Sequence, residues 1–112
     1  MITYDSVTKV FGGARHPVTA LKNVSFTVEA GHVVVLLGPS GCGKTTTLRL
    51  TNRLETLTSG KITVEGEEIY SMDPVKLRQS MGYVIQEIGL FPNKTIGQNI
   101  AVVPKILNWD RQ

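Results

Sequence analysis

Val33-Val34-Val35-Leu36-Leu37 runs directly into Gly38-Pro39-Ser40-Gly41-Cys42-Gly43-Lys44-Thr45, and this stretch sets the reading of the whole sequence. A continuous apolar run of strand length marks a strand covered on both faces, as in a parallel sheet flanked by helices. The residues after it have the form G-x-x-x-x-G-K-[ST]. Gly38, Gly41 and Gly43 lack Cβ atoms, so the backbone can wrap closely and turn several N–H groups inward. A helix starting near Lys44 aims its positive end at the same spot. Lys44 is a flexible point charge suited to nucleotide β- and γ-phosphates, and the Thr45 hydroxyl suits one position on an octahedral Mg²⁺. Chance produces such a pattern on the order of a few times per thousand chains of this length. Here an apolar strand precedes it and a helical pattern follows, the setting that marks a phosphate-binding loop. Cys42 lies inside it. A thiol near a helix N-terminus can be reactive, but nothing places a base or second thiol beside it, which favours a small residue that simply fits.

Downstream, Leu48, Thr51 and Leu54, with Leu50, Leu54 and Leu57, recur at helical spacing from Lys44 to about Leu57. Thr58-Ser59-Gly60 is expected to end that helix. Ile62, Val64 and Ile69 around Glu65-Gly66-Glu67 read as a β-hairpin. Asp73-Pro74 opens a short helix reaching near Gly82, with Asp as N-cap and Pro at the first helical position. Tyr83-Val84-Ile85 is a second buried-strand candidate, leading into Gln86. Thr95-Ile96-Gly97-Gln98 has the capping-box form, for a helix running only as far as Pro104. Upstream, Ile2 to Phe11 reads as a strand and Gly12 to Pro17 as a loop or hairpin tip. Val24, Phe26 and Val28 then alternate with Ser25, Thr27 and Glu29, the period of a half-buried strand.

At 112 residues, with 41% hydrophobic and 19% charged residues, the chain suits one soluble globular domain. Twelve Lys+Arg against nine Asp+Glu give a net charge of +3, but the basic residues are scattered, so no nucleic-acid partner is expected. The lone Cys42 excludes an internal disulfide. The amino terminus lacks a signal-peptide pattern, and Val33–Leu37 falls far short of the roughly 20 apolar residues a membrane span needs. A soluble, cytosolic protein is expected, whose contact with a membrane goes through a partner.

Gly38 through Thr46 resembles the Walker A segment of ATP-binding-cassette (ABC) ATPases. Thr58-Ser59-Gly60-Lys61-Ile62, followed by Gly66 and Ile69, resembles the family's small β-hairpin. Gly82-Tyr83-Val84-Ile85-Gln86 with Leu90-Phe91-Pro92 resembles its Q-loop region, and Thr95-Ile96-Gly97-Gln98-Asn99-Ile100 the helix start that comes next. The resemblance implies an α/β P-loop NTPase fold, incomplete, with an amino-terminal antiparallel β portion and a parallel core strand leading into the loop. Residues 1–112 would be the amino-terminal part of a nucleotide-binding domain. It implies ATP and Mg²⁺ as cofactors. Ser40, Gly41, Cys42, Gly43, Lys44, Thr45 and Thr46 would hold the phosphates, Phe11 would stack on adenine, and Thr45 and Gln86 would contact the metal. Gln86 would also contact the attacking water, which makes it the catalytic candidate. Asn52-Arg53-Leu54, the segment Tyr83–Pro92 and Ile100-Ala101-Val102-Val103-Pro104 are similar to ATPases that power uptake of glycine betaine, carnitine or choline. Such a protein would hydrolyse ATP, pair head to tail with a second ATPase subunit, and sit on the inner face of the cell membrane through a permease.

Neither the Leu-Ser-Gly-Gly-Gln signature nor an apolar run ending in Asp-Glu, the Walker B strand, is present. Hydrolysis needs a positioned water and a held metal, so the chain reads as a fragment, expected to be inactive alone. The alternatives are a non-catalytic nucleotide-binding or interaction fragment, or the ATPase of an amino-acid or polyamine importer. A small GTPase or nucleoside kinase is a third reading, but Asn93-Lys94-Thr95-Ile96 lacks the Asp that would read guanine.

Overall fold

A computed structural model describes residues 1–109, which group into two compact units, Met1–Gly82 and the residues from Tyr83 on. In the first unit, β1 (Ile2–Phe11) and β2 (Val18–Val28) form a long antiparallel hairpin around the Gly12–Pro17 tip. β3 (Ser59–Val64) pairs antiparallel with the other edge of β1, and the two-residue β4 (Glu67–Glu68) returns along β3. The sheet order is β2-β1-β3-β4. The β3–β4 turn is Glu65-Gly66 with φ of 51° and 80°. Two consecutive positive values make the tight turn whose twist matches a hairpin.

β1 departs from a regular strand in a way that matters for the core. Tyr4 and Val7 are both buried, yet an odd separation should put them on opposite faces. A bulge at Ser6 (φ 50°) reconciles them: Tyr4 and Val7 lie opposite Phe26 and Val24, three residues against two. Its amide, lost to the ladder, donates to Ser25 Oγ at 2.8 Å. On the other side Gly60 (φ 96°) receives the bulge so closely that a Cβ there would lie 2.3 Å from the Ser6 carbonyl oxygen.

Helix α1 (Lys44–Thr51) follows the glycine loop, and α2 (Pro74–Gln79) follows a 3₁₀ turn at Ile69–Ser71. Asp73 caps α2 through a 3.1 Å bond from the Val75 amide, with Pro74 at the first helical position as expected. Leu50 of α1, Leu77 of α2, Ile69, and Tyr4, Val7, Leu21, Ile62 and Val64 of the sheet make one core. α1 is shorter than its leucine spacing suggested. It stops at Thr51, and Arg53 (φ 60°) turns the chain out. Arg78 closes that end: its guanidinium donates to the Asn52 and Arg53 carbonyls at 3.1 and 2.9 Å. Leu57 therefore reaches the core from a non-helical segment.

Val33–Leu37, expected as the parallel core strand, pairs with no strand among the described residues. Val33 is 91% and Leu37 89% exposed. Tyr83–Ile85 likewise forms no strand, and Val84 is 93% exposed. The reason is physical: a parallel strand is held by ladder bonds from neighbouring segments, and apolar composition supplies none of them.

In the second unit, α3 (Ile96–Ile100) starts with the anticipated capping box: Thr95 Oγ1 accepts from the Gln98 amide at 3.1 Å, and Gln98 Oε1 from the Thr95 amide at 2.9 Å. The helix does not run to Pro104. It breaks at Ala101, and α4 (Val102–Ile106) carries Pro104 in its first turn, where a missing N–H costs nothing. Asn99 ties the preceding loop down, accepting from the Phe91 amide at 2.8 Å and donating to the Thr95 carbonyl at 2.9 Å. Among residues 83–109 none is buried. No helix among the described residues is long and apolar enough to cross a membrane.

Candidate phosphate-binding site

The loop from Gly38 to Gly43 takes its shape from its glycines. The Cys42 amide donates to the Pro39 carbonyl at 3.2 Å, closing a turn over Ser40 and Gly41, whose φ is 83°. Gly43 (φ 97°, left-handed) is the N-cap of α1. It has a second constraint: a Cβ there would meet the Ala20 carbonyl oxygen at 2.7 Å and Leu21 Cδ2 at 2.8 Å. The loop thus lies directly against β2, and only glycine allows both the backbone turn and that approach. Cys42 Sγ leans over Gly38, 2.6 Å from where a Cβ would stand, and is exposed.

No side chain caps α1. The first amides of a helix have no partners within it, and here none is supplied by a Ser, Thr, Asp or Asn oxygen. An uncapped helix start presents donors and partial positive charge to an anion. The Lys44 ammonium folds back onto the Gly38 carbonyl, so the loop's own oxygen holds the cation over the cradle. Thr45 is exposed beside it and Thr46 half-buried. Free helix donors, a cation held over the loop and Cβ-free walls fit a polyphosphate. Among the described residues no three His, Cys, Asp or Glu side chains stand together to hold a metal ion. The Thr45 hydroxyl is a hard oxygen of the kind that could take one position on Mg²⁺.

One residue that supports the loop's helix was not legible as such. The Tyr4 hydroxyl donates to the Thr47 carbonyl at 2.6 Å and lies 2.6 Å from Thr51 Oγ1, while Thr47 Oγ1 donates to the Gly43 carbonyl at 2.8 Å. A polar chain therefore runs from the sheet to the N-cap of α1. The sequence carries only a faint signal of it, two threonines four apart on the face that α1 buries. Burial pushes the Tyr4 phenol up to about 12; the nearby Tyr70 adds to the rise, and the Thr51 hydrogen bond opposes it. The folded pKa lies above the ordinary value of 10.0, so the unfolded chain loses its proton first. Stability is then full below pH 10 and falls as pH rises toward about 12. Denaturant midpoints measured across that window should show the fall in the parent chain and a smaller one in Tyr4→Phe. That variant should also lose about 1–2 kcal/mol at neutral pH.

Phe11 sits in the same unit at the end of β1, opposite Val18, with the Lys9 ammonium 4.6 Å from its ring centroid. Gln86 belongs to the second unit, exposed at a bend after Ile85. Residues 40–46 are thus gathered on one loop and helix start, and Phe11 and Gln86 stand on other elements.

Residues 21–112 match the family model described as ABC transporter. The chain belongs to the ABC transporter family. It is 53% identical over 112 residues to the osmoprotectant import ATP-binding protein OsmV of Salmonella typhimurium, and 48% identical to the choline transport ATP-binding protein OpuBA of Bacillus subtilis. These alignments cover 99% and 100% of this ABC transporter chain, which spans 29% of the length of each relative. The whole chain also superposes on half of the ATP-binding cassette MJ0796, solved as a post-hydrolysis dimer bound to ADP and Pi, with a TM-score of 0.84 and 27% identity. A bacterial Atm1-family ABC exporter with ATP bound matches 89% of this chain and 17% of its own, at TM-score 0.78 and 42% identity. The P-loop ABC fold and the osmoprotectant-importer likeness implied by the sequence motifs both stand.

Proposed function

We propose that this chain binds ATP with Mg²⁺ as the amino-terminal part, residues 1–112, of an ABC ATPase domain that powers uptake of quaternary-amine osmoprotectants. The observation that carries it is the uncapped N-terminus of α1 at Gly43, with the Lys44 ammonium held over it. The names of the relatives support the transport reading.

The backbone amides from Ser40 to Thr46 bind and orient the phosphates. Lys44 exchanges the Gly38 carbonyl for a β- or γ-phosphate oxygen. Thr45 offers its hydroxyl to Mg²⁺, which when bound neutralises phosphate charge. Phe11 would stack on adenine, and in the whole protein Gln86 would contact the metal and the attacking water. The partners of the whole protein would be a membrane permease and a second ATPase subunit placed head to tail, at the inner face of the cell membrane.

Calorimetric titration with MgATP and MgGTP, paired with a phosphate-release assay, tests this. Saturable MgATP binding, weaker MgGTP binding and little or no phosphate release are expected. Tighter binding of GTP than ATP would overturn the assignment. Sustained turnover that disappears in Lys44→Ala would show that the chain is catalytic by itself.

A further inference from the structure

We propose that Lys9 is a positioning residue for the nucleobase end of the site, fixing the Phe11 ring so that ATP is preferred over a base-free polyphosphate. This rests on the reading that Phe11 stacks on adenine.

Lys9 is unusual for a strand lysine. Its side chain is only 13% exposed, where lysines ordinarily keep their heads in water. The ammonium is held at three points: 4.6 Å from the Phe11 centroid, 2.7 Å from the Thr56 carbonyl to which it donates, and 3.9 Å from Glu55 Oε2. Glu55 Oε1 in turn lies 3.8 Å from Arg49 Nε of α1. The cation therefore links the ring at the end of β1 to the segment leaving the helix that begins at the phosphate loop. A cation over an aromatic face is attracted by the ring quadrupole, and it takes one face of Phe11. The ring stays partly exposed, and Gly12 and Gly13 follow it with no side chains. A ring already held in place loses less freedom when a base stacks on it, and that saving appears as affinity. The phosphates, gripped by the loop, gain nothing from it. Lys9 thus acts on the base and not on the phosphates.

The experiment compares MgATP with magnesium tripolyphosphate by calorimetry on the full 112-residue chain and three variants. Phe11→Ala should largely abolish the preference for ATP. Lys9→Met should reduce that preference about three- to fivefold while leaving tripolyphosphate affinity unchanged. Lys9→Arg, which keeps a cation over the ring, should restore most of it. If Lys9→Met weakens both ligands alike, or neither, the proposal is overturned. If Phe11→Ala removes the preference and Lys9→Met does not, Lys9 falls while the adenine reading stands. If Phe11→Ala leaves the preference intact, the adenine reading fails and takes this proposal with it. NMR of the unsubstituted chain gives a second reading should Lys9→Met not fold. The Lys9 ε-methylene protons should lie upfield under the ring current and respond to ATP but not to tripolyphosphate. Lack of that difference overturns the proposal.

Discussion

Lys44→Ala is expected to lower MgATP affinity by roughly 10- to 100-fold, the loss of one charge-assisted hydrogen bond of about 1.5–3 kcal/mol. The side chain's only hydrogen bond among the described residues is to the Gly38 carbonyl. No core contact depends on it, so the thermal midpoint of the ligand-free chain should stay close to that of the parent. Affinity that falls without a change in melting temperature locates the effect at the phosphates. Residual binding should persist, because the amides of Gly41, Gly43 and the first turn of α1 remain. It should weaken further as salt is raised, since the loop is exposed and its charge is screened. Unchanged affinity in Lys44→Ala would show that the loop does not hold the nucleotide.

The largest loss of stability is expected at Gly60. Valine there must adopt φ near 96°, and its Cβ would stand 2.3 Å from the Ser6 carbonyl oxygen and 2.6 Å from Val7 Cα. Both neighbours are backbone, so relief requires β1 and β3 to part. Strain of about 1–3 kcal/mol from the dihedral alone adds to the clash. Together they consume most of the roughly 5–15 kcal/mol that holds a typical domain. Gly66→Ala is the matched control: φ is 80°, but its Cβ would meet nothing within 4 Å. Denaturant unfolding of the two variants should show a modest loss for Gly66→Ala, about 1–2 kcal/mol, and an unfolded or barely folded Gly60→Val. Equal losses would mean that the close approach of the strands is unimportant.

Features decided by a few adjacent residues were legible before the structure. The Glu65-Gly66 turn, the Asp73-Pro74 cap, the Thr95–Gln98 box and the glycine loop each involve neighbours in sequence, whose hydrogen bonds close locally. Features decided by contact at a distance were not. Leu54 and Leu57 continue the helical spacing of α1, but Arg78, far along the chain, accepts the role of closing it at Asn52 and Arg53. In β2 the register slips against β1 between Leu21 and Val24, with Asn23 at φ 52°, so the alternation that marks Val24–Val28 does not continue back to the buried Leu21. Val33–Leu37 is the converse case: its apolar composition suits a strand, but no described segment supplies a ladder. The same division runs through the site. The phosphate cradle is legible in the loop itself, whereas the Tyr4–Thr47 and Lys9–Thr56 bonds depend on how strands and helix come together.

The bulge at Ser6 also bears on how this strand can change length over evolutionary time. Losing one residue elsewhere in β1 inverts the facing of everything on one side of the gap, sending core residues to water. Losing Ser6 instead would leave Tyr4 and Val7 with a single residue between them, already in phase. Ser6 is thus a natural indel position, where related chains can gain or drop a residue without redrawing the interior.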